Sequence, residues 1–524
     1  GLPLAALAMA MADNPMIPAT GHRICNDCMK ACIYQKQDPV DIPAIETRVL
    51  TDALALPHGV ELYDLLCRYN PLRATEYREL PWNGRKVLVV GLGPAGFALA
   101  HHLTMRGFAV FGIDGLKIEP LPKAMLAGPV ADWAACQEPL GRRIVHGFGG
   151  VAEYGITPRW DKNFLKLIQL TLSRRKTFAA AGGVRFGGTL TLEDAWDLGF
   201  DHVALATGAG LPRVLDMPGS LAKGMRQASD FLMALQLTGA ARDDSLAHLQ
   251  VRLPAVVIGG GLTAVDAATE LQAHYIHQVE RAARRHAALE ESGWDGALNA
   301  EDRAILEEWL AHAQMLAAER RRAAAAGEAP HFIPMLRAWG GVTIVYRRRM
   351  AQSPAYTRNH QELAKALEEG ILYMEGLEPV AAVLDEHGWI KGLCARYATP
   401  QADGDLTREI TVPARTVLVA AGTVPNTIYE REHPGHLALE SDHFRLHDAQ
   451  GEPRPASPQT TCKDLQQTGF FTSNPQVSVL GDAHAIFQGS VVKAIASGKQ
   501  AACQIAAVLP PRQGQGDEAD ELEH

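Results

Sequence analysis

Residues 85–114, RKVLVVGLGPAGFALAHHLTMRGFAVFGID, decide how the rest of the chain is read. Lys86 to Val90 is a short β-branched run of the kind that lies buried in a parallel sheet. GLGPAG follows at once and sets Gly91, Gly93 and Gly96 at G-x-G-x-x-G spacing, with Pro94 and Ala95 opening a helix. An apolar stripe comes next (Phe97, Leu99, Ala100, Leu103), then a second strand, Ala109 to Ile113, ending in Asp114. Each part has a physical task. The first glycine allows the tight turn, the second lets backbone N–H groups approach a pyrophosphate, and the third lets helix and strand pack closely. The anion then sits on a helix N-terminus, where unpaired N–H groups and the helix dipole favour negative charge. Asp114, 23 residues after Gly91, is placed to accept hydrogen bonds from a ribose diol. Strand, turn, helix, strand and acid in this order predict a dinucleotide site.

A second fingerprint begins at Ala255, AVVIGGGLTAVDAATEL, where Gly259, Gly261 and Ala264 give G-x-G-x-x-A around Leu262 and Thr263. Two such units predict two dinucleotides. The next strand, Val342 to Tyr346, arrives more than 80 residues after Gly259, where the 23 of the first unit would serve. The intervening text, about 271–340, contains EDRAILEEWLAHAQMLAAERRRAAAAG and reads as an inserted helical hairpin. It is either a solvated decoration or a docking arm for another subunit. At the end of the second strand stand Arg347, Arg348 and Arg349, where an NAD site would carry an acid. An acid would repel a 2′-phosphate and a guanidinium binds it, so NADPH is favoured over NADH; the alternative is a solvated basic cluster.

Two apolar strands end in glycine turns, His202 to Ala206 before Thr207-Gly208, and TVLVA before Gly422-Thr423. These read as return strands of nucleotide-binding sheets, with glycine allowing close passage past a cofactor. Residues 115–145 read as a loop insertion, and GFGGVAEYGITP (147–158), which includes Gly150, as a glycine-rich loop leading into a helix over 162–178. Near the C-terminus PQVSVLGDAHAIFQGSVVK gives a strand, Gly481-Asp482, a turn at Gly489, and a helix starting near Ser490 and Val491. Asp482 can hold the ribityl hydroxyls of a flavin, and that helix can offer N–H groups to the flavin edge where negative charge collects.

The 524 residues suggest two or three domains. The composition, 47% hydrophobic and 21% charged, is that of a soluble globular protein, with no run long enough to cross a bilayer. A net charge of −9 argues against a general nucleic-acid binder. Three of the eight cysteines, Cys25, Cys28 and Cys32, crowd into C-x2-C-x3-C and the rest are scattered, a pattern of a reducing, cytoplasmic setting with one metal-type cluster. Thiolates suit an iron–sulfur cluster and zinc alike. The fourth ligand is not evident; Asp38, Gln35, Gln37 and Cys67 are candidates, and three buried free thiols are the alternative. The apolar start, GLPLAALAMAMADNPMIP, lacks the basic n-region of a signal peptide and reads as an ordered segment or the cut end of a longer polypeptide.

With both fingerprints, both return turns and GDAHAIFQGSVVKAIASGKQAA at 481–502 in hand, the chain resembles the small-subunit family of glutamate synthase. It is also similar to the electron-entry half of dihydropyrimidine dehydrogenase. GFGGVAEYGI at 147–156, GGGLTAVD at 259–266, VTIVYRRRM at 342–350 and ALEEGI at 366–371 carry the same likeness. The resemblance implies an α/β protein with two Rossmann-like domains, for FAD and NAD(P)H, behind a small helical iron–sulfur segment. The segments expected are 1–80 for iron–sulfur, 81–220 and 425–510 for FAD, 221–424 for NAD(P)H, and a disordered tail at 511–524. It implies that Gly91, Gly93, Gly96, Asp114 and Asp482 bind FAD, and that Gly259, Gly261, Ala264 and Arg347 or Arg348 bind NADPH. Hydride from NADPH would pass to FAD, and single electrons through a [4Fe–4S] centre to a larger redox subunit or a ferredoxin. Three departures stand out: few cysteines in the N-terminal motif, Leu262 where the family carries Asn, and the insertion. No redox CxxxxC pair lies beside the first fingerprint, which tells against a disulfide reductase. The rival readings are a self-contained NAD(P)H oxidoreductase acting on a small acceptor, and a non-catalytic assembly subunit.

Overall fold

The computed structural model describes residues 2–21, 24, 26–73, 78–139, 147–155, 160–291, 298–398, 408–455 and 468–512. The α/β expectation is met, with helices alternating with the parallel strands of two separate sheets. The chain divides into two compact units, residues 1–211 with 423–524, and residues 212–422. Each is built around one of the strands that lead into a glycine loop.

In the first unit Lys86–Val90 is the central strand of five. Ala109–Asp114 and then Phe178–Gly182 lie on one side, His202–Leu205 and then Val477–Val479 on the other, all parallel. Val87, Leu88 and Val89 are fully buried, as a β-branched run covered on both faces should be. Helix Pro94–Met105 is buried along its whole length, His101, His102 and Thr104 included. The helices Pro3–Met11, Ile42–Leu54 and Gly59–Arg68 make no core of their own. Leu7, Met11, Leu50 and Tyr63 share one cluster with Trp133, Phe164 and Leu167.

The helix expected over 162–178 is shorter, Asn163–Ser173. Arg174 and Arg175 end it by turning inward. Arg174 donates to the carbonyls of Met125 and Gly128 and pairs with Glu61 at 2.9 Å. Arg175 is fully buried and donates to the carbonyl of His101 and the hydroxyl of Thr104. Residues 115–145, read as plain loop, carry the short helical turns Lys123–Ala127 and Ala134–Cys136.

The second unit repeats the plan. Ala255–Ile258 is central, Val342–Tyr346 and Leu372–Glu375 lie on one side, Thr416–Val419 and Met225–Gln227 on the other, again all parallel. A three-stranded antiparallel sheet, Leu377–Leu384, Ile390–Tyr397 and Glu409–Pro413, precedes the return strand. The inserted hairpin arises by lengthening: one helix runs unbroken from Leu262 to Glu291, and Ala300–Ala326 is its second arm. That arm is tied into its own unit. Ile305, Trp309 and Leu316 join the core, and Glu308 holds Arg415 in a two-point pair at 2.6 and 2.7 Å. Among the described residues no helix is long and apolar enough to cross a membrane.

Candidate functional site

The sites expected in the first unit gather around the loop at 91–96. A Cβ on Gly91 would lie 2.4 Å from the Ala206 carbonyl oxygen, and one on Gly96 only 1.8 Å from the Gly91 oxygen. Both are glycine because the chain itself leaves no room. Gly93 is different. A Cβ there would meet nothing closer than the 3.7 Å of the Gly149 oxygen, so no packing within the protein demands glycine at this position.

Four further segments converge on this loop. The second glycine-rich turn comes up to it, Gly149 donating its N–H to the Leu92 carbonyl at 3.1 Å and Gly150 lying against Gly93. Asp114 accepts from the N–H of Leu92 and the N–H of Leu116, each at 3.0 Å; burial raises its carboxyl above the ordinary range, and those two bonds oppose the rise. Ala206 leads into Thr207, whose hydroxyl donates to the Asn426 carbonyl, and Gly208, whose carbonyl accepts from the Asn426 N–H. Gly481 packs on Ala95 and donates its N–H to the Ser497 hydroxyl. Asp482 accepts from the Gly489 N–H at 2.8 Å, which draws the turn round to Ser490, the extended residue that opens helix Val491–Val508. Pro94 and Ala95 begin the buried helix behind the loop.

Tyr154 was missed by the sequence reading although it stands in the quoted glycine-rich segment. Its phenol is pushed up to about 12 by burial, then by the negative charge of Asp114 and of Asp482. One half-buried ring thus feels the charge of both acids, a relation spread over 369 positions of sequence that no local pattern could reveal.

In the second unit a Cβ on Gly259 would lie 2.3 Å from the Ala420 carbonyl oxygen, whereas one on Gly261 would meet nothing within 4 Å. The division of labour seen at Gly91 and Gly93 therefore recurs. Ala264 is fully buried, Leu262 packs against the core and Thr263 is exposed. Gly422 follows the return strand, its carbonyl accepting from the Arg213 N–H at 2.9 Å. Arg347 and Arg348 are exposed directly after Tyr346, so their guanidinium groups are available to an anion. Gly260, which the motif leaves open to any residue, is covered by the Tyr346 ring: a Cβ there would be 2.4 Å from Cε2. The middle glycine in GGG was the signal available for this pairing.

Cys25 lies outside the described residues, so the triad is seen only in part. Cys28 is exposed and Cys32 half-buried, and the Tyr34 N–H points at the Cys32 Sγ at 3.5 Å. Burial, Glu46 and Asp27 raise the Cys28 thiol, whereas Asp38 is exposed. Cys67 sits in the core, its thiol pushed up to about 12 by burial. Among the described residues no three of His, Cys, Asp and Glu come together as a metal site.

A profile of the family described as pyridine nucleotide-disulphide oxidoreductase matches residues 85–464. The chain is 45% identical over 380 residues to an uncharacterized protein of Rickettsia prowazekii, covering 72% of this chain and 51% of that one. It is 24% identical over 445 residues to the glutamate synthase [NADPH] small chain of Escherichia coli, covering 80% and 67%. Among solved structures, Mycobacterium tuberculosis FprA in complex with NADPH aligns with a TM-score of 0.44 at 16% identity, covering 81% and 84%. The chain spans about half the length of the Rickettsia relative. This chain belongs to the pyridine nucleotide-disulphide oxidoreductase family, and its paired sheets are those of an FAD- and NAD(P)-dependent oxidoreductase.

Proposed function

We propose that this member of the family is an electron-input flavoprotein that oxidises NADPH, in preference to NADH, at FAD. Its electrons would leave through a [4Fe–4S] centre to a larger redox subunit or a ferredoxin-like acceptor. The observation that carries the reading is the pair Gly93 and Gly261, glycines with free space above them at the two positions where a pyrophosphate belongs. FAD, when bound, accepts hydride from a nicotinamide and releases electrons one at a time.

The chain's own residues have these tasks. Gly93, Ala95 and Gly96 offer the phosphate-binding turn and helix start of the FAD site. Asp114 braces that turn through Leu92 and has lone pairs left for a ribose. Asp482 and the N–H groups at Ser490 and Val491 would take the ribityl chain and the flavin edge, Gly489 being held to Asp482, with Gly150, Thr207 and Gly208 lining the approach. Gly259, Gly261, Leu262, Thr263 and Ala264 would receive NADPH, with Gly422 beside them. Arg347 and Arg348 would bind its 2′-phosphate. The likeness to the glutamate synthase [NADPH] small chain supports the same preference.

Cys25, Cys28 and Cys32 would hold the cluster, with Asp38 completing the set, and the N–H directed at the Cys32 sulfur suits a thiolate ligand. The distant likeness to glutamate synthase supports a larger partner subunit, and the cysteine usage suits the cytoplasm.

The test is anoxic purification with assays of flavin, iron and sulfide, then flavin reduction by NADPH and by NADH. About one FAD and about four iron atoms per chain are expected, with NADPH the faster donor. Stoichiometric FAD without iron would leave a self-contained oxidoreductase. A colourless protein that binds neither dinucleotide would leave an assembly subunit.

A further inference from the structure

The geometry points to Tyr346 as the positioning residue of the second dinucleotide loop: its ring fills the place of a side chain at Gly260 and holds the loop in register with the arginines next in the chain. This rests on the reading of Gly259 to Ala264 and Arg347–Arg348 as one NADP site.

The reason lies in what the motif requires. G-x-G-x-x-A needs glycine at 259 and 261 only, and the residue between is unconstrained by the ligand. At 260 the constraint comes from within the protein. A Cβ built there would lie 2.4, 2.5 and 2.7 Å from Cε2, Cδ2 and Cζ of Tyr346, so the ring lies directly over the loop backbone. Tyr346 is half-buried and ends strand Val342–Tyr346. That strand is fastened to the loop from below, the Gly259 N–H donating to the Val345 carbonyl at 3.0 Å. The Gly260 carbonyl is engaged as well, accepting from the Ala355 N–H at 2.9 Å in the first turn of helix Pro354–Glu368. The loop is thus gripped by a ring, a strand end and a helix start. The same strand end carries Arg347 and Arg348 into solvent. Pyrophosphate-binding turn and 2′-phosphate-binding arginines therefore move as one piece, and Tyr346 is the joint between them.

The contact is reciprocal, which makes it testable by suppression. The variants are Gly260→Ala, Tyr346→Ala, Tyr346→Phe and the double change of Gly260→Ala with Tyr346→Ala. NADP+ and NAD+ binding is read by calorimetry, with FAD content and melting temperature measured alongside. Gly260→Ala should weaken NADP+ about 30-fold or more, because the loop must rise off the ring. The double variant should recover to within about threefold of Tyr346→Ala, since the added methyl then has room. Tyr346→Ala should lower the preference for NADP+ over NAD+, whereas Tyr346→Phe should match the unaltered protein in both affinity and preference.

The proposal is overturned if Gly260→Ala binds NADP+ normally, if the double variant is no better than Gly260→Ala, or if Tyr346→Phe behaves like Tyr346→Ala. Should Gly260→Ala fail to accumulate, the contrast of Phe with Ala at 346 decides alone. Failure of the underlying site reading looks different: the unaltered protein would itself show no NADP+ binding that depends on Arg347 and Arg348.

Discussion

The two glycine loops solve one packing problem from opposite sides. In the first, the open position of the motif is Leu92, fully buried, and the neighbouring strand yields: a Cβ on Gly112 would lie 2.5 Å from Leu92 Cδ2. In the second, the loop yields with Gly260 and the neighbouring strand supplies the bulk with Tyr346. The strand ends differ in step. Asp114 is drawn back to brace Leu92, whereas Arg347 and Arg348 are exposed. A turn that carries its own side chain can be fastened by the acid beyond it. A turn fastened by a ring leaves that next position exposed.

The comparison breaks hardest at the third motif position, where the first loop has Gly96 and the second Ala264. Gly96→Ala puts a methyl 1.8 Å from the Gly91 oxygen, and a backbone clash of that size should cost more than about 4 kcal/mol. Soluble, yellow protein should be lost. Ala264→Gly should cost about 2 kcal/mol, half from helix propensity and half from its buried methyl. If both variants express and bind flavin alike, the two loops do not differ in this respect.

The middle glycines should behave alike, each on its own ligand. Gly93→Ala meets no protein atom within 3.7 Å, so the apoprotein should melt where the unaltered apoprotein does while FAD binds about 100-fold more weakly. Gly261→Ala should weaken NADP+ similarly and leave FAD content unchanged. A drop in apoprotein stability with no change in ligand affinity would mean that these glycines serve the fold.

A smaller effect is expected at the arginines, since each is one charge-assisted contact. Arg347→Ala with Arg348→Ala should raise KM for NADPH about 10- to 100-fold and KM for NADH less than about threefold. Steady-state kinetics with both donors decides it, and equal effects would remove the 2′-phosphate assignment.

The central strand of each sheet was legible because it is local text: a buried run, a glycine turn and a helix recur at 86–105 and at 255–291. The insertion was legible as surplus length between Gly259 and Val342, but its mode was not. Nothing in EDRAILEEW says that Glu308 will reach Arg415, because that contact spans 107 positions. The place of Asp114 at its strand end was legible; its bond to the Leu92 N–H depends on strand register, Val90 opposite Ile113, which alternation alone cannot supply. Tyr346 stood in plain view beside the arginines, yet its partner Gly260 lies 86 residues earlier. The helix at 162–178 was overlong for the same reason, since the burial of Arg175 that ends it needs a carbonyl from another helix.

A last contrast concerns acid. The first unit buries His101, His102, His202 and His484, and burial pushes all four below the usual imidazole range, His202 to about 3 and His484 to about 4. The geometry at His484 holds a neutral ring, Nε2 bonded to the Gly469 carbonyl and Nδ1 accepting from the Ile486 N–H. The unfolded chain then binds protons that the folded one refuses. Stability is therefore whole above about pH 6.5 and falls as pH drops from there toward the folded values, by roughly 2 kcal/mol at pH 5 for each of His202 and His484. Flavin release on heating should move to lower temperature between about pH 6.5 and about pH 5. His202→Leu, which removes a ring whose Nε2 has no partner among the described residues, should flatten that slope by one histidine's share. An unchanged slope in the variant would place the acid sensitivity elsewhere, most directly on the His484 ring that holds the turn beside Asp482.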